Sequence, residues 1–359
     1  MIFLKIYRED EAKKLYGCDF VVDFPADRDE IKLLQITDMQ IIDSSQMRTP
    51  DRLCPQEIEA WKPENIDRNF SNHVKSLVAQ TKPDLIFITG DMVYGQFDDS
   101  GRIFEFFCNF MDSFGIPWAP VFGNHDNESA KGVEWQCEML SNAKYSLFKR
   151  GNVSGNSNYN IGICKGGKLI RVMHMLDSHG VLQAGGLRSD QIDFVRKNSL
   201  EITEISGGIV PAFMAFHMPV SEFAEAETSK GYLTDERRSY VIGVDVEAKD
   251  RDFGSRQENY KKVGSVPAEG FSRLITDCNI EGVFIGHYHS VNTCITYKNV
   301  KWVYGLKTGQ YDYHTPGQIG GTLITLKGES FCVSHVPSLV KYSPFVGCSP
   351  VYKDFFVEV

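Results

Sequence analysis

The residues of this chain best suited to chemistry fall in five short polar clusters, each directly after an apolar run. They read Ile36-Thr37-Asp38-Met39-Gln40, Gly90-Asp91-Met92-Val93-Tyr94, Gly123-Asn124-His125-Asp126, Phe216-His217-Met218-Pro219 and Gly286-His287-Tyr288-His289. Together they supply carboxylates, an amide, imidazoles and a phenol, the donor set of a two-metal hydrolytic site. A single Gly-His-x-His carries little weight. Five such clusters in one chain set the reading of the rest.

Two ions about 3.5–4 Å apart need a bridging ligand, and a carboxylate with two oxygens and a charge does this well. Asp91, on a turn after Gly90, is the natural bridge. Asp38 and His289 complete the protein ligands of one ion, and Asn124, His217 and His287 serve the other. His125 follows the ligand Asn124 immediately and reads as a residue beside the ligands, stabilising a phosphoryl oxygen or protonating a leaving group. Asp126 is expected to fix its tautomer and raise its basicity.

The other candidates carry less. His174 lies inside an apolar strand pattern, where a hydrogen-bonded core imidazole is the simpler reading, and His179 in the next loop has a route to the site. His73, His314 and His335 have no ligand context of their own. Lys307, Arg188 and Tyr311 are candidate phosphate contacts, set against the ordinary fate of Lys and Arg as solvated surface.

Something must carry these clusters. Apolar runs of strand length recur at 33–36, 85–88, 118–122, 169–176, 212–216 and 282–285, and helical patterns lie between several of them. Ile66, Phe70, Val74, Leu77 and Val78 form one such stripe, and Ile103, Phe106, Phe107, Phe110, Met111 and Phe114 another. Ser189 is placed to cap a third helix, and Phe271, Leu274 and Ile275 suggest a fourth. After residue 290 the pattern becomes a run of antiparallel strands, at 302–304, 322–326 and 331–335. Near-continuous apolar strands alternating with helices predict an α/β fold with sheet covered on both faces, whose ligand crevice lies beyond the carboxyl ends of the strands. Each cluster begins where a strand stops. Two long polar segments, 43–64 and 222–266, show no sustained periodicity and are candidates for a substrate rim, or for solvated insertions.

Bulk properties fit a soluble enzyme. The 359 residues are 42% hydrophobic and 24% charged, within the ordinary globular range. A net charge of -9 argues against nucleic acid or an anionic membrane as the main partner. It leaves room for a small phosphorylated substrate, because metal charge dominates such a site locally. No stretch is long and apolar enough to span a bilayer, and the N-terminal apolar stretch is too short for a signal-peptide core. Nine scattered cysteines without a Cys-x-x-Cys pair read as small apolar residues in a reducing cytoplasm.

With these residues in view, the sequence resembles the calcineurin-like metallophosphoesterase family, marked by Asp-x-His, Gly-Asp, Gly-Asn-His-Asp/Glu, a lone His after a strand, and Gly-His-x-His. The resemblance runs from Asp38 to His289. It implies a four-layer sandwich of two mixed β-sheets flanked by helices, and one domain over 1–359 with its core at about 30–327 and a tail, 328–359, packing on it. It also implies a dinuclear centre of divalent or mixed-valence ions (Mn, Fe or Zn), with the ligand roles given above. The activity implied is hydrolysis of phosphate esters, most naturally monoesters, by in-line attack of a metal-bridging hydroxide. A phosphodiesterase, a nucleotide pyrophosphatase and a catalytically silent phospho-ligand binder stand as alternatives. Weaker signals, Leu176-Asp177-Ser178, Phe216-His217-Met218-Pro219 and Tyr304-Gly305-Leu306-Lys307-Thr308-Gly309, are similar to the purple acid phosphatase-like branch. One position departs from the family: Asp-x-His has become Asp38-Met39-Gln40. Purple acid phosphatases also lack that histidine and use a tyrosinate from Gly-Asp-x-x-Tyr, a pattern present here as Gly90 to Tyr94. Tyr94 as a ligand would favour Fe(III). The alternatives are ligation or water orientation by the Gln40 amide, or neither residue as ligand.

Overall fold

In the computed structural model, the described residues are 4–43, 45, 61, 63–180, 185–234, 239–243, 251–257, 269–315 and 317–340. The chain opens with β1 (Lys5–Arg8), α1 (Glu9–Tyr16) and β2 (Phe20–Phe24). Next come β3 (Glu30–Ile36), α2 (Pro63–Thr81), β4 (Leu85–Thr89), α3 (Arg102–Asp112), β5 (Trp118–Val121) and α4 (Gly132–Asn142). Then follow β6 (Tyr159–Lys165), β7 (Lys168–Met175), α5 (Ser189–Ser206), β8 (Ala212–Ala215) and α6 (Ser221–Ser229). β9 (Tyr240–Gly243) and β10 (Gly254–Arg256) precede α7 (Phe271–Asp277) and β11 (Ile280–Ile285). The last strands are β12 (Cys294–Tyr297), β13 (Val300–Tyr304), β14 (Gly320–Lys327) and β15 (Ser330–Pro337).

Two mixed sheets result. The larger has the order β1-β2-β6-β7-β8-β11-β13-β12 and the smaller β15-β14-β3-β4-β5. In the larger, β7, β8, β11 and β13 run parallel, and in the smaller, β3, β4 and β5 do. The inner faces meet in one core, where the rings of Phe87 and Phe284 pack edge to face, 5.7 Å apart, across the sheets. Alternation along β2 shows the arrangement: Phe20, Val22 and Phe24 join this core, and Val21 turns to the outer one. There Ala12, Ile192, Val195, Ile202, Phe223, Phe271 and Leu274 bring helices α1, α5, α6 and α7 onto the larger sheet. On the smaller sheet, α3 buries Ile103, Phe104, Phe107, Phe110 and Met111, the stripe of an amphipathic helix. The protein is thus a four-layer α/β sandwich, as the resemblance implied.

Several boundaries differ from expectation. The strands before residue 30, β1 and β2, belong to the larger sheet, because β2 pairs with β6. Within the expected tail, β15 pairs along its whole length with β14, and 341–359 lie outside the described residues. The late strands are not one antiparallel run, since β13 lies parallel to β11 and β14 joins the other sheet. Ser189 begins α5 rather than capping it, and the amide oxygen of Gln191 receives the backbone N–H of Arg188. Within 222–266, α6 and the two-stranded β9–β10 sheet replace the expected irregular loop, while most of 43–64 lies outside the described residues.

Candidate metal centre

All five clusters sit beyond the carboxyl ends of parallel strands, at the edge where the two sheets meet. Asp38, Asp91 and Asn124 follow β3, β4 and β5 of the smaller sheet. His217 follows β8, and His287 and His289 follow β11, in the larger. The turns are held in unusual backbone conformations. Asp38 (φ 51°), Gln40 (φ 47°), Asp91 (φ 51°) and His287 (φ 75°) all occupy the left-handed region, which costs about 1–3 kcal/mol for a residue with a side chain. Two glycines let the turns close up. A Cβ on Gly123 would collide with the carboxylate of Asp91, and one on Gly286 with Thr37 and Asp38.

Asp38, Asp91 and His289 offer donor atoms within 4.8 Å of one another, all three buried. His289 Nδ1–H donates to the carbonyl of Tyr313 (3.0 Å), which leaves Nε2 facing Asp38 Oδ1 at 3.4 Å. The other three expected ligands gather around one oxygen. Asn124 Oδ1 lies 2.9 Å from His217 Nε2 and 3.0 Å from His287 Nδ1. His217 Nδ1–H is anchored on the carbonyl of Thr89 (2.8 Å), so its Nε2 is likewise the free donor. Asp91 joins the groups, with Oδ2 3.4 Å from His217 Nε2.

Burial works to raise the Asp38 carboxyl, but the contact from His289 and the nearby His217 hold it down at about 2. Burial works the same way on Asp91, and His217 and His125 hold it far below the carboxylate range. Burial would lower His217, yet Asp91 beside it lifts it to about 9; burial and His217 push His287 down to about 3. Two buried, ionised carboxylates with oriented imidazole and amide donors form a set that suits divalent cations.

Other expectations change. Asp126 does not touch the His125 ring: its carboxylate accepts from the backbone of Val93 (3.1 Å) and Gly123 (2.7 Å), tying the β4 and β5 turns together. The partner of His125 is Glu128, whose Oε2 lies 2.8 Å from Nδ1. Sequence reading missed it, although a carboxylate three residues on in a turn was the available signal. Nor is the Gln40 amide arranged as an oxygen ligand. Its Oε1 accepts from Lys307 Nζ (2.7 Å), and its Nε2 faces Asp91 Oδ2 (3.3 Å). Tyr94 is buried in an aromatic cluster with Trp61, Phe97 and the His125 ring, 4.4 Å away. Lys307 and Tyr311 are buried rather than on the rim, and Arg188 flanks α5. His179 is buried with its backbone N–H on Asp177, and Gly180 after it packs against the backbone of Asn124.

A model of the calcineurin-like phosphoesterase family matches residues 31–291, a span that contains all six expected ligands. The chain belongs to that family. Among curated relatives of this calcineurin-like phosphoesterase, probable inactive purple acid phosphatase 29 of Arabidopsis thaliana is 24% identical over 81% of this chain and 74% of its own length. Phosphatase DCR2 of Saccharomyces cerevisiae is 24% identical over 75% of this chain and 46% of its own. Among solved structures, the purple acid phosphatase PPD1 from yellow lupin is similar over 90% of this chain and 49% of its own, with 12% identity and a TM-score of 0.43.

Proposed function

We propose that this phosphoesterase-family chain is an active, metal-dependent phosphatase for a small phosphomonoester. The observation that carries the reading is the position of Asp91, grouped with Asp38 and His289 on one side and beside His217 on the other. Two divalent ions held there would supply Lewis acidity toward phosphoryl oxygens and lower the pKa of bound water toward about 7. Asp38, Asp91 and His289 would hold one ion; Asn124, His217 and His287, sharing Asp91, the other. The protein's own part is orientation and proton transfer. Carbonyls fix the His217 and His289 rings so that only Nε2 can ligate. Glu128 occupies Nδ1 of His125, so proton exchange with a leaving group falls to Nε2 of that half-buried ring.

The test is a scan of monoesters, diesters and nucleotides with added Mn²⁺. Monoester turnover that chelation abolishes and Mn²⁺ restores is the expected result. Two bound ions with no turnover of any ester would defeat it. A second reading, a silent binder of phosphorylated ligands, is favoured by one observation: Gln40 stands where the family's Asp-x-His has an imidazole. Metal analysis beside turnover separates the two, because a silent binder would hold one ion or none and hydrolyse no ester even with Mn²⁺ added.

A further inference from the structure

The ligand position that the family fills with histidine is held here by Gln40, and Lys307 decides what that amide does. An ammonium only donates, so the Gln40 atom 2.7 Å from Lys307 Nζ is its oxygen, whichever way an isolated amide would be assigned. The NH2 end must then be the one 3.3 Å from Asp91 Oδ2, and a carboxylate accepts it. Nζ also donates to the backbone oxygen of Asp38 (2.8 Å), and Lys307 is only 2% exposed. Both ends of the amide thus meet groups of fixed polarity. Turning the oxygen toward an ion would take an acceptor from a buried ammonium, a costly loss.

We propose that Lys307 is a positioning residue: it locks Gln40 as a donor to Asp91, keeps it out of metal ligation and makes the two metal positions unequal. The position built on Asn124, His217 and His287 with Asp91 binds its ion tightly. The position built on Asp38, Asp91 and His289 has one imidazole beside its two carboxylates and a buried positive charge nearby, so it binds weakly and empties first. This inference rests on the two-ion reading above.

The experiment is calorimetric titration of Mn²⁺ into the metal-stripped full chain, with thermal melts of each variant as a folding control. Wild type should show two binding events separated by about 100-fold or more in Kd. Lys307→Met should strengthen the weaker event by about tenfold and leave the tighter one unchanged, since it removes a like charge and frees the amide. Gln40→Met should leave the weaker event within about threefold, because an amide that is not a ligand has no bond to the ion to lose. Weakening by Gln40→Met of about tenfold or more would make Gln40 a ligand and overturn the proposal. No strengthening by folded Lys307→Met would also overturn it, and the Gln40→Met arm stands if that variant fails to fold. Two equal events in wild type would sink the inference alone. No binding at all would sink the two-ion reading with it.

Discussion

Glu128 Oε2 lies 2.8 Å from Nδ1 of His125, three residues earlier on the same turn. Burial works to lower the imidazole pKa, but Asp91 and Glu128 together raise it. The carboxylate also fixes which ring nitrogen remains for proton exchange. The arrangement divides the labour that sequence alone assigned to Asp126.

His125→Ala should lower kcat by roughly 10²–10⁴ with metal content unchanged. Substrates with good leaving groups, such as aryl phosphates, should lose less because they need less protonation. Equal losses across leaving groups would exclude general-acid work. Glu128→Gln should move the alkaline limb of the pH–rate profile to lower pH, since a general acid must stay protonated and one of the two charges that raise its pKa is gone, while metal content again stays constant.

Asp126→Ala should act differently. It leaves the backbone N–H groups of Val93 and Gly123 unpaired and buried, at a cost of about 1–3 kcal/mol each. The expected result is a lowered melting temperature and weakened metal binding with no shift in the pH profile. A shift matching that of Glu128→Gln would restore Asp126 to the acid–base role.

Asp91→Asn should remove metal and nearly all turnover. Asp91 receives the backbone N–H of His125 at Oδ1 (2.9 Å) and the Gln40 amide at Oδ2 (3.3 Å), so an asparagine must turn its NH2 against one of these donors. Elemental analysis beside activity checks this. A variant that keeps both ions and near-normal turnover would remove Asp91 from the bridging position.

Acid should destabilise the fold through histidines remote from the centre. Burial pushes His174 and His335 from the usual 6.5 down to about 4, so the unfolded chain binds their protons first. The stability present above pH 6.5 is then lost as pH falls toward 4, by about 2 kcal/mol for each residue at pH 5. His174 Nδ1 has no hydrogen-bond partner, and Leu fills similar space. Denaturant melts at pH 7 and pH 5 should show His174→Leu losing about 2 kcal/mol less than wild type. Identical losses would refute the assignment.

Arg256 and Glu227 form a fully buried pair (2.7 and 2.8 Å), and the guanidinium lies 5.7 Å from the ring of Tyr288 in the Gly-His-Tyr-His turn. Glu227→Gln should destabilise the protein by about 3–5 kcal/mol, because it strands a buried charge. Replacing both, with Arg256→Met and Glu227→Leu, should recover much of that loss. A double variant as unstable as Glu227→Gln would show that packing, rather than charge, dominates there.

Sequence by itself determined the parts that short-range chemistry writes down. Apolar runs of strand length are legible because their near-continuous hydrophobicity reflects burial on both faces, and five of them, β3, β4, β5, β8 and β11, end at the donors. Six donors were thereby placed on strand ends before their partners were known, and the structure brings them into two adjoining groups. Tertiary structure alone decided how these parts meet. Asp38 and His289 lie 251 positions apart in the chain, and their 3.4 Å approach depends on two sheets packing face to face. The late strands looked alike because β13 and β14 are both short apolar runs in the sequence, and pairing with β11 or β3 is a long-range choice. Gln40 shows the limit most sharply. Its spacing from Asp38 marks a ligand position, yet which end of the amide faces the centre is set by Lys307, 267 residues later, through a contact that no local pattern encodes.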